Sequence, residues 1–175
     1  MITLQEAKSH LRIEPEFVEE DALIESLISA AILSLEHQTG RAFRDREETL
    51  ILDRWEQPVR LPWWPVQAIN EITYFDADGV QQTLPGYSLD LRTIPATLTP
   101  YPNETWPEAK QRPQAITIKV QVGMQELPED LKRAALLLIG NLYENREAVV
   151  VGTIVATLPM AVDFLIQPYR ILRIA

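Results

Sequence analysis

The chain has no cysteine among its 175 residues. This absence excludes disulfide bonds, a thiolate nucleophile and any cysteine-based metal site, so packing alone must hold the fold together. Histidine is scarce as well, with only His10 and His37 present. Because neither residue belongs to a His-Glu-x-x-His pattern, we expect no metal centre and no cofactor.

Basic residues are also in short supply. Lys and Arg total 16 against 25 Asp and Glu, which gives a formal net charge of −9. Sequence-independent DNA binding depends on Lys and Arg that neutralise phosphates, so this balance argues against tight DNA binding. It is compatible with DNA that slides past without sticking, and equally with a charge that serves solubility alone. No apolar stretch reaches the roughly 20 residues of a membrane-spanning helix, and we expect none.

Recognisable catalytic patterns are missing too. The six glycines are too scattered to build a phosphate-binding loop, and no Gly-x-Ser-x-Gly elbow occurs. The segment from Asp76 to Gly79 resembles part of a calcium loop, but the positions that would supply further ligands hold Tyr74 and Pro85. A hairpin turn is the better interpretation. We therefore predict a protein that is not an enzyme, with a small hydrolase as the weakest alternative.

Helical periodicity marks both ends of the chain. Thr3 and Glu6 have the spacing of a capping box at the start of a first helix. A second helix is expected to begin with Asp21 as its N-cap and to stop at Gly40. A third should begin at the Leu127–Asp130 segment and bury nearly its whole circumference, and a fourth should begin around Met160.

The middle of the chain has a different pattern. From Glu47 onward, apolar residues alternate with polar ones and proline becomes frequent, which is typical of short strands. Residues 95–113 are expected to form an irregular loop. The sequence thus predicts an α+β fold, in which residues 1–44 and 124–175 form a helical bundle and residues 45–123 form an inserted small antiparallel β module.

Residues 148–162 carry no charge and are rich in valine. Leaving such a segment in water would cost roughly 25 cal/mol per Å² of apolar surface. It must therefore be covered by the protein's own core, by another copy or by a partner. We expect contacts with a neighbouring subunit or another protein from Val149, Val150, Val151, Ile154 and Val155.

The sequence Pro62-Trp63-Trp64-Pro65 is the strongest local oddity. Paired tryptophans can stack on sugars or anchor a peptide, but they also fill cores and subunit contacts. The core or contact interpretation is favoured, and a carbohydrate- or peptide-binding module that uses Trp63 and Trp64 stays open as an alternative.

Three landmarks in order resemble phage head–tail connector proteins. They are the opening at residues 2–13, the segment 21–28 that closes with Thr39-Gly40-Arg41, and the segment 142–149 that precedes the uncharged run. The resemblance is to head-completion adaptors of the gene-product-six-like type, found in long-tailed phages, prophages and gene transfer agents. Smaller members are almost wholly helical, and this chain departs from them in its central β block.

The resemblance implies a structural protein of the virion neck, assembled in the bacterial host cytoplasm. It implies a ring of identical copies, commonly twelve, beneath the portal protein. Such a ring extends the DNA channel and docks the stopper or tail proteins, while DNA only passes through. A stopper or a tail terminator of the same particle is the nearest alternative.

Overall fold

The computed structural model describes residues 1–145 and 160–171. The helices in these ranges are α1 (Leu4–Leu11), α2 (Asp21–Thr39), α3 (Glu129–Glu144) and α4 (Met160–Ile166), and a short 3₁₀ helix spans Gln167–Tyr169. The strands are β1 (Arg46–Leu52), β2 (Val59–Arg60), β3 (Val66–Phe75), β4 (Gln81–Thr83), β5 (Ser88–Asp90), β6 (Thr97–Thr99) and β7 (Ile116–Val122). The predicted α+β class, with helices and antiparallel sheets, is confirmed.

The chain divides into two compact units. One unit, called the helical unit below, comprises Met1–Arg41 and Glu126–Ala175. The other, called the β unit, comprises Ala42–Gln125.

The first two helices begin and end for local reasons. The backbone N–H of Glu6 donates to Thr3 Oγ1 at 3.1 Å, and Thr3 N–H donates to Glu6 Oε2 at 2.7 Å, which is the predicted capping box. Helix α2 begins one residue earlier than expected, because Glu20 occupies the N-cap position and Asp21 is already helical. Gly40, with φ of 70°, ends α2 in the left-handed conformation.

Helix α3 lies at the centre of the helical unit and packs against α1, α2 and α4. Its fully buried residues recur at helical spacing on one face and are Leu131, Ala134, Ala135, Leu138 and Ile139. The expectation that α3 buries nearly its whole circumference is therefore wrong. The partly exposed Leu136 and Leu137 lie off this face.

The β unit contains two antiparallel sheets. The larger has the order β1-β7-β3-β4 and the smaller has the order β2-β6-β5. Both contribute to one apolar cluster, in which Val59 and Leu98 of the smaller sheet join Ile116, Ile118 and Val120 of the larger. Strand β6 falls within residues 95–113, so the prediction of an irregular loop there was wrong in part. Its three residues pair with both β2 and β5.

The turn between β3 and β4 has a structural explanation. Asp76 accepts hydrogen bonds from Val80 N–H at 2.9 Å and from Gln82 Nε2 at 2.8 Å, and Gly79 has a φ of 86°. The carboxylate thus closes a hairpin turn, as the sequence predicts.

Candidate functional site

The five residues predicted to contact another subunit or protein lie outside the described residues: Val149, Val150, Val151, Ile154 and Val155. Their role stays a prediction. The described residues that follow them in the chain are those of α4, and this helix has an apolar surface of its own.

Helix α4 is apolar on two opposite faces. Val162 and Ile166 are fully buried, whereas Met160 is 89% exposed and Phe164 is 75% exposed. Each pair has i, i+4 spacing, and the two pairs are two residues out of phase, which places them about 200° apart around the helix. One pair holds α4 in its unit, and the other points to solvent; Met160 and Phe164 are called the α4 outer pair below.

The end of α4 is held by polar contacts within the helical unit. Arg170 donates to Asp163 Oδ1 at 2.6 Å, and Ile171 N–H donates to Thr39 O at 2.9 Å. Arg41 Nε donates to Tyr169 O at 2.5 Å, and its guanidinium lies 6.0 Å from the centroid of the Tyr169 ring. The orientation of the outer pair is thus set by the chain on its C-terminal side.

Burial shapes the electrostatics of this end. It lowers the pKa of Arg41, an effect that Tyr169 partly offsets. It also raises the pKa of the Tyr169 phenol, and Asp130 raises it further. Both groups keep their usual charge near neutral pH, so the contact does not change over the physiological range.

The α4 outer pair was missed at the sequence level. The interpretation of α4 rested on Val162, Leu165 and Ile166, and it did not use the second apolar pair. The spacing of Met160 and Phe164 was the available signal, because an amphipathic surface helix carries one apolar stripe and not two.

The tryptophans singled out in the sequence have structural contacts. Trp63 packs against the apolar cluster of the β unit. The carbonyl of Trp64 accepts a hydrogen bond from Ala42 N–H at 2.7 Å. These contacts favour the core interpretation of the Pro62–Pro65 segment over a binding platform.

The exposed face of the larger sheet carries several paired polar side chains beside the 49% exposed Ile51. Asn70 Nδ2 donates to Glu47 Oε2 at 2.8 Å, and Lys119 Nζ lies 2.8 Å from Glu71 Oε2. Gln121 Nε2 donates to Asp45 Oδ1 at 2.5 Å. A face with its polar groups already paired has little to gain from an apolar contact.

Metal and membrane features were also sought within the described ranges. Over residues 1–145 and 160–171, no group of three or more His, Asp or Glu side chains has an arrangement that could hold a metal ion. In the same part of the chain, every helix is too short or too polar to cross a bilayer.

Comparison with known proteins bears on the resemblance noted in the sequence. Residues 1–76 match the family model described as phage gp6-like head-tail connector protein. The resemblance to head–tail connectors is confirmed.

Solved structures extend the likeness to nearly the whole chain. A chain in the neck of an empty gene transfer agent particle, computed with sixfold symmetry, is 26% identical, with a TM-score of 0.79 over 99% of this chain and 91% of that one. A chain in the virion of the native particle is 27% identical, with a TM-score of 0.76 over the same shares, 99% and 91%. A chain in the native neck, computed with twelvefold symmetry, is 26% identical, with a TM-score of 0.73 over 98% and 90%.

A search of curated proteins gives no match. The family match and the neck structures together support the predicted structural role as a head–tail adaptor of the virion neck.

Proposed function

We propose that this connector assembles as a ring of identical copies in the neck of a phage-like particle, beneath the portal protein. The observation that carries the proposal is the match of 99% of the chain to a chain in the neck of a gene transfer agent particle. The sixfold and twelvefold symmetries named for those necks favour a ring of twelve. The ring would extend the DNA channel and dock the stopper or tail proteins.

In this role the protein needs no cofactor and no catalytic residue. Its net charge of −9 suits a channel through which DNA passes without being retained. Assembly would take place in the host cytoplasm, with the finished ring part of the virion.

A closed ring is built from heterologous contacts, in which one patch of each subunit meets a different patch of the next. We infer that the uncharged segment supplies one such patch through Val149, Val150, Val151, Ile154 and Val155. The α4 outer pair would extend it, because exposed apolar side chains of this size gain from burial against a second copy.

Electron microscopy of the purified chain mixed with the portal ring of the same particle tests the proposal. Under it, an added ring of density appears on one end of the portal, and twelvefold averaging sharpens it. Val150→Asp should reduce the added density while helix content, measured by circular dichroism, stays unchanged. If the portal remained bare at saturating protein, the adaptor proposal would be wrong.

A further inference from the structure

The β unit contains a groove lined by residues other than those proposed for the ring contact. Its volume is about 430 Å³, within the range of small-ligand and peptide sites. Three separate segments line it, namely Tyr74 of β3, residues 84–86 and residues 100–107. The walls are mainly aromatic rings and prolines.

Stacking and a hydrogen bond hold the aromatic side of the groove in place. Trp106 stacks on Trp55 with ring centroids 4.6 Å apart and planes 13° apart, and Trp55 lies 6.0 Å from the Tyr74 ring. Trp106 Nε1 also donates to Glu56 O at 2.8 Å. Rings held in this way lose little conformational entropy when a ligand binds.

The opposite rim is a tight turn. Glu104 N–H donates to Tyr101 O at 2.9 Å, and Asn103 has a φ of 68°, so Tyr101 and Glu104 lie side by side. The Tyr101 ring rests on Gly86, where an added Cβ would lie 2.5 Å from Tyr101 Cε2. Gly86 therefore sets the width of the groove, and 48% of Tyr101 remains exposed.

Charge selects the kind of ligand. Glu104 lines the groove, its carboxylate forms no salt bridge in the described part of the chain, and the lining includes no Lys or Arg. Glu104 is exposed and gives the groove a negative charge, which favours a ligand with a basic group over an acidic one. In the same described ranges, the Tyr74 and Tyr101 hydroxyls make no hydrogen bond, so each can donate to a peptide carbonyl.

We propose that this groove binds an extended, proline-containing peptide segment that carries a basic residue, with the prolines between Tyr74, Tyr101 and Trp106 and the basic group at Glu104. Proline-rich segments dock on aromatic-lined grooves because their extended helix is preformed and costs little entropy to fix. Aromatic rings can also stack on sugars, so an oligosaccharide is the competing ligand that the test includes. The proposal is independent of the ring.

The test titrates the full-length chain with the acetylated peptide Arg-Ala-Leu-Pro-Pro-Leu-Pro, followed by tryptophan fluorescence and by NMR shifts. We expect saturable binding with a Kd below about 1 mM. Tyr101→Ala should weaken binding about tenfold, as truncation of an aromatic anchor does. Phe17→Ala, which removes an exposed ring that does not line the groove, is the matched control and should leave peptide binding unchanged.

A second pair of variants tests the charge. Glu104→Gln should weaken binding of the basic peptide severalfold and leave binding of a version with Gln in place of Arg unchanged. Glu108→Gln should change the binding of neither peptide. Gly86→Ala should weaken binding of both peptides, because the added methyl group displaces Tyr101. The proposal is overturned by the absence of saturable binding, by binding that Tyr101→Ala does not change, or by binding of cellohexaose in place of the peptide. None of these outcomes would alter portal binding, so the two proposals fail separately.

Discussion

Helix α4 of the helical unit and the outer face of the larger sheet in the β unit differ in how their exposed side chains are satisfied. In the β unit, the outer face of the larger sheet pairs its polar side chains with one another, as in the Asn70–Glu47 hydrogen bond and the Lys119–Glu71 ion pair. In the helical unit, α4 leaves Met160 and Phe164 in solvent although Val162 and Ile166 already anchor it. The contrast favours the α4 outer pair over this sheet face as a surface for assembly.

The difference extends to the buried charges. Lys8 is only 4% exposed; its Nζ donates to Pro15 O at 3.1 Å and to Phe17 O at 2.9 Å, and it pairs with Asp21. This one ammonium fixes the connection between α1 and α2. The ion pair of the β sheet lies at the surface, with each side chain about two-fifths exposed. The Lys8 contacts therefore fix a backbone connection, whereas the Lys119–Glu71 pair lies on a sheet surface.

The largest effect expected from this comparison concerns assembly. Phe164→Asp should abolish added ring density on the portal, because it places a charge in a contact that must exclude water. The fold should remain, since substitutions at exposed positions change stability by about 0.5 kcal/mol or less. Val80→Asp, at a 56% exposed position on the β3–β4 hairpin, makes the same chemical change in the other unit. Equal ring formation by the two variants would contradict the contrast.

The next effect concerns stability. Lys8→Met should lower the free energy of unfolding by about 2–3 kcal/mol, because it leaves two carbonyls and the Asp21 carboxylate without their partner. Lys119→Met removes an exposed ion pair of the β unit and should have a much smaller effect. Urea unfolding followed by circular dichroism measures both. If Lys119→Met lowered the free energy of unfolding as much as Lys8→Met, the distinction between the two ion pairs would be wrong.

Local signals made the helices predictable. The capping box of Thr3 and Glu6 and the left-handed Gly40 depend on neighbours a few residues away, so the sequence contains all the information needed. The exposed side of α3 was harder to predict, because periodicity shows where apolar residues fall but not how many neighbours cover them. Strand β6 was missed because its three residues owe their conformation to pairing with β2 and β5.

The candidate surfaces also differ in how far the sequence alone predicts them. The five candidates at Val149–Val155 followed from composition alone, and their contact with another copy stays a prediction. The α4 outer pair was readable from its i, i+4 spacing. The groove was not, since Tyr74, Gly86, Tyr101 and Trp106 come from three separate segments that only the tertiary fold brings together. The Trp63-Trp64 pair, which the sequence pattern singles out, does not line this groove.

The smallest expected effect compares one carboxylate in each unit. The pKa of Glu6 is lowered from its ordinary 4.5 by hydrogen bonds with the backbone and side chain of Thr3. The pKa of Asp76 is lowered from 3.8 by hydrogen bonds from the Gln82 side chain and the Val80 backbone. A depressed folded-state pKa stabilises the fold above the unfolded-state value, and this contribution is lost as the pH falls through the folded-state value.

NMR titration of the two side chains measures these contributions separately. Thr3→Ala should raise the titration midpoint of Glu6 towards 4.5 and leave that of Asp76 unchanged. Gln82→Ala should raise the midpoint of Asp76 and leave that of Glu6 unchanged. Thr3→Ala should also cost about 1 kcal/mol near neutral pH through the lost cap. If either variant shifted both titration midpoints, the loss of stability in acid would be a property of the whole chain. Independent movement would mean that each unit loses its own local contact as the pH falls.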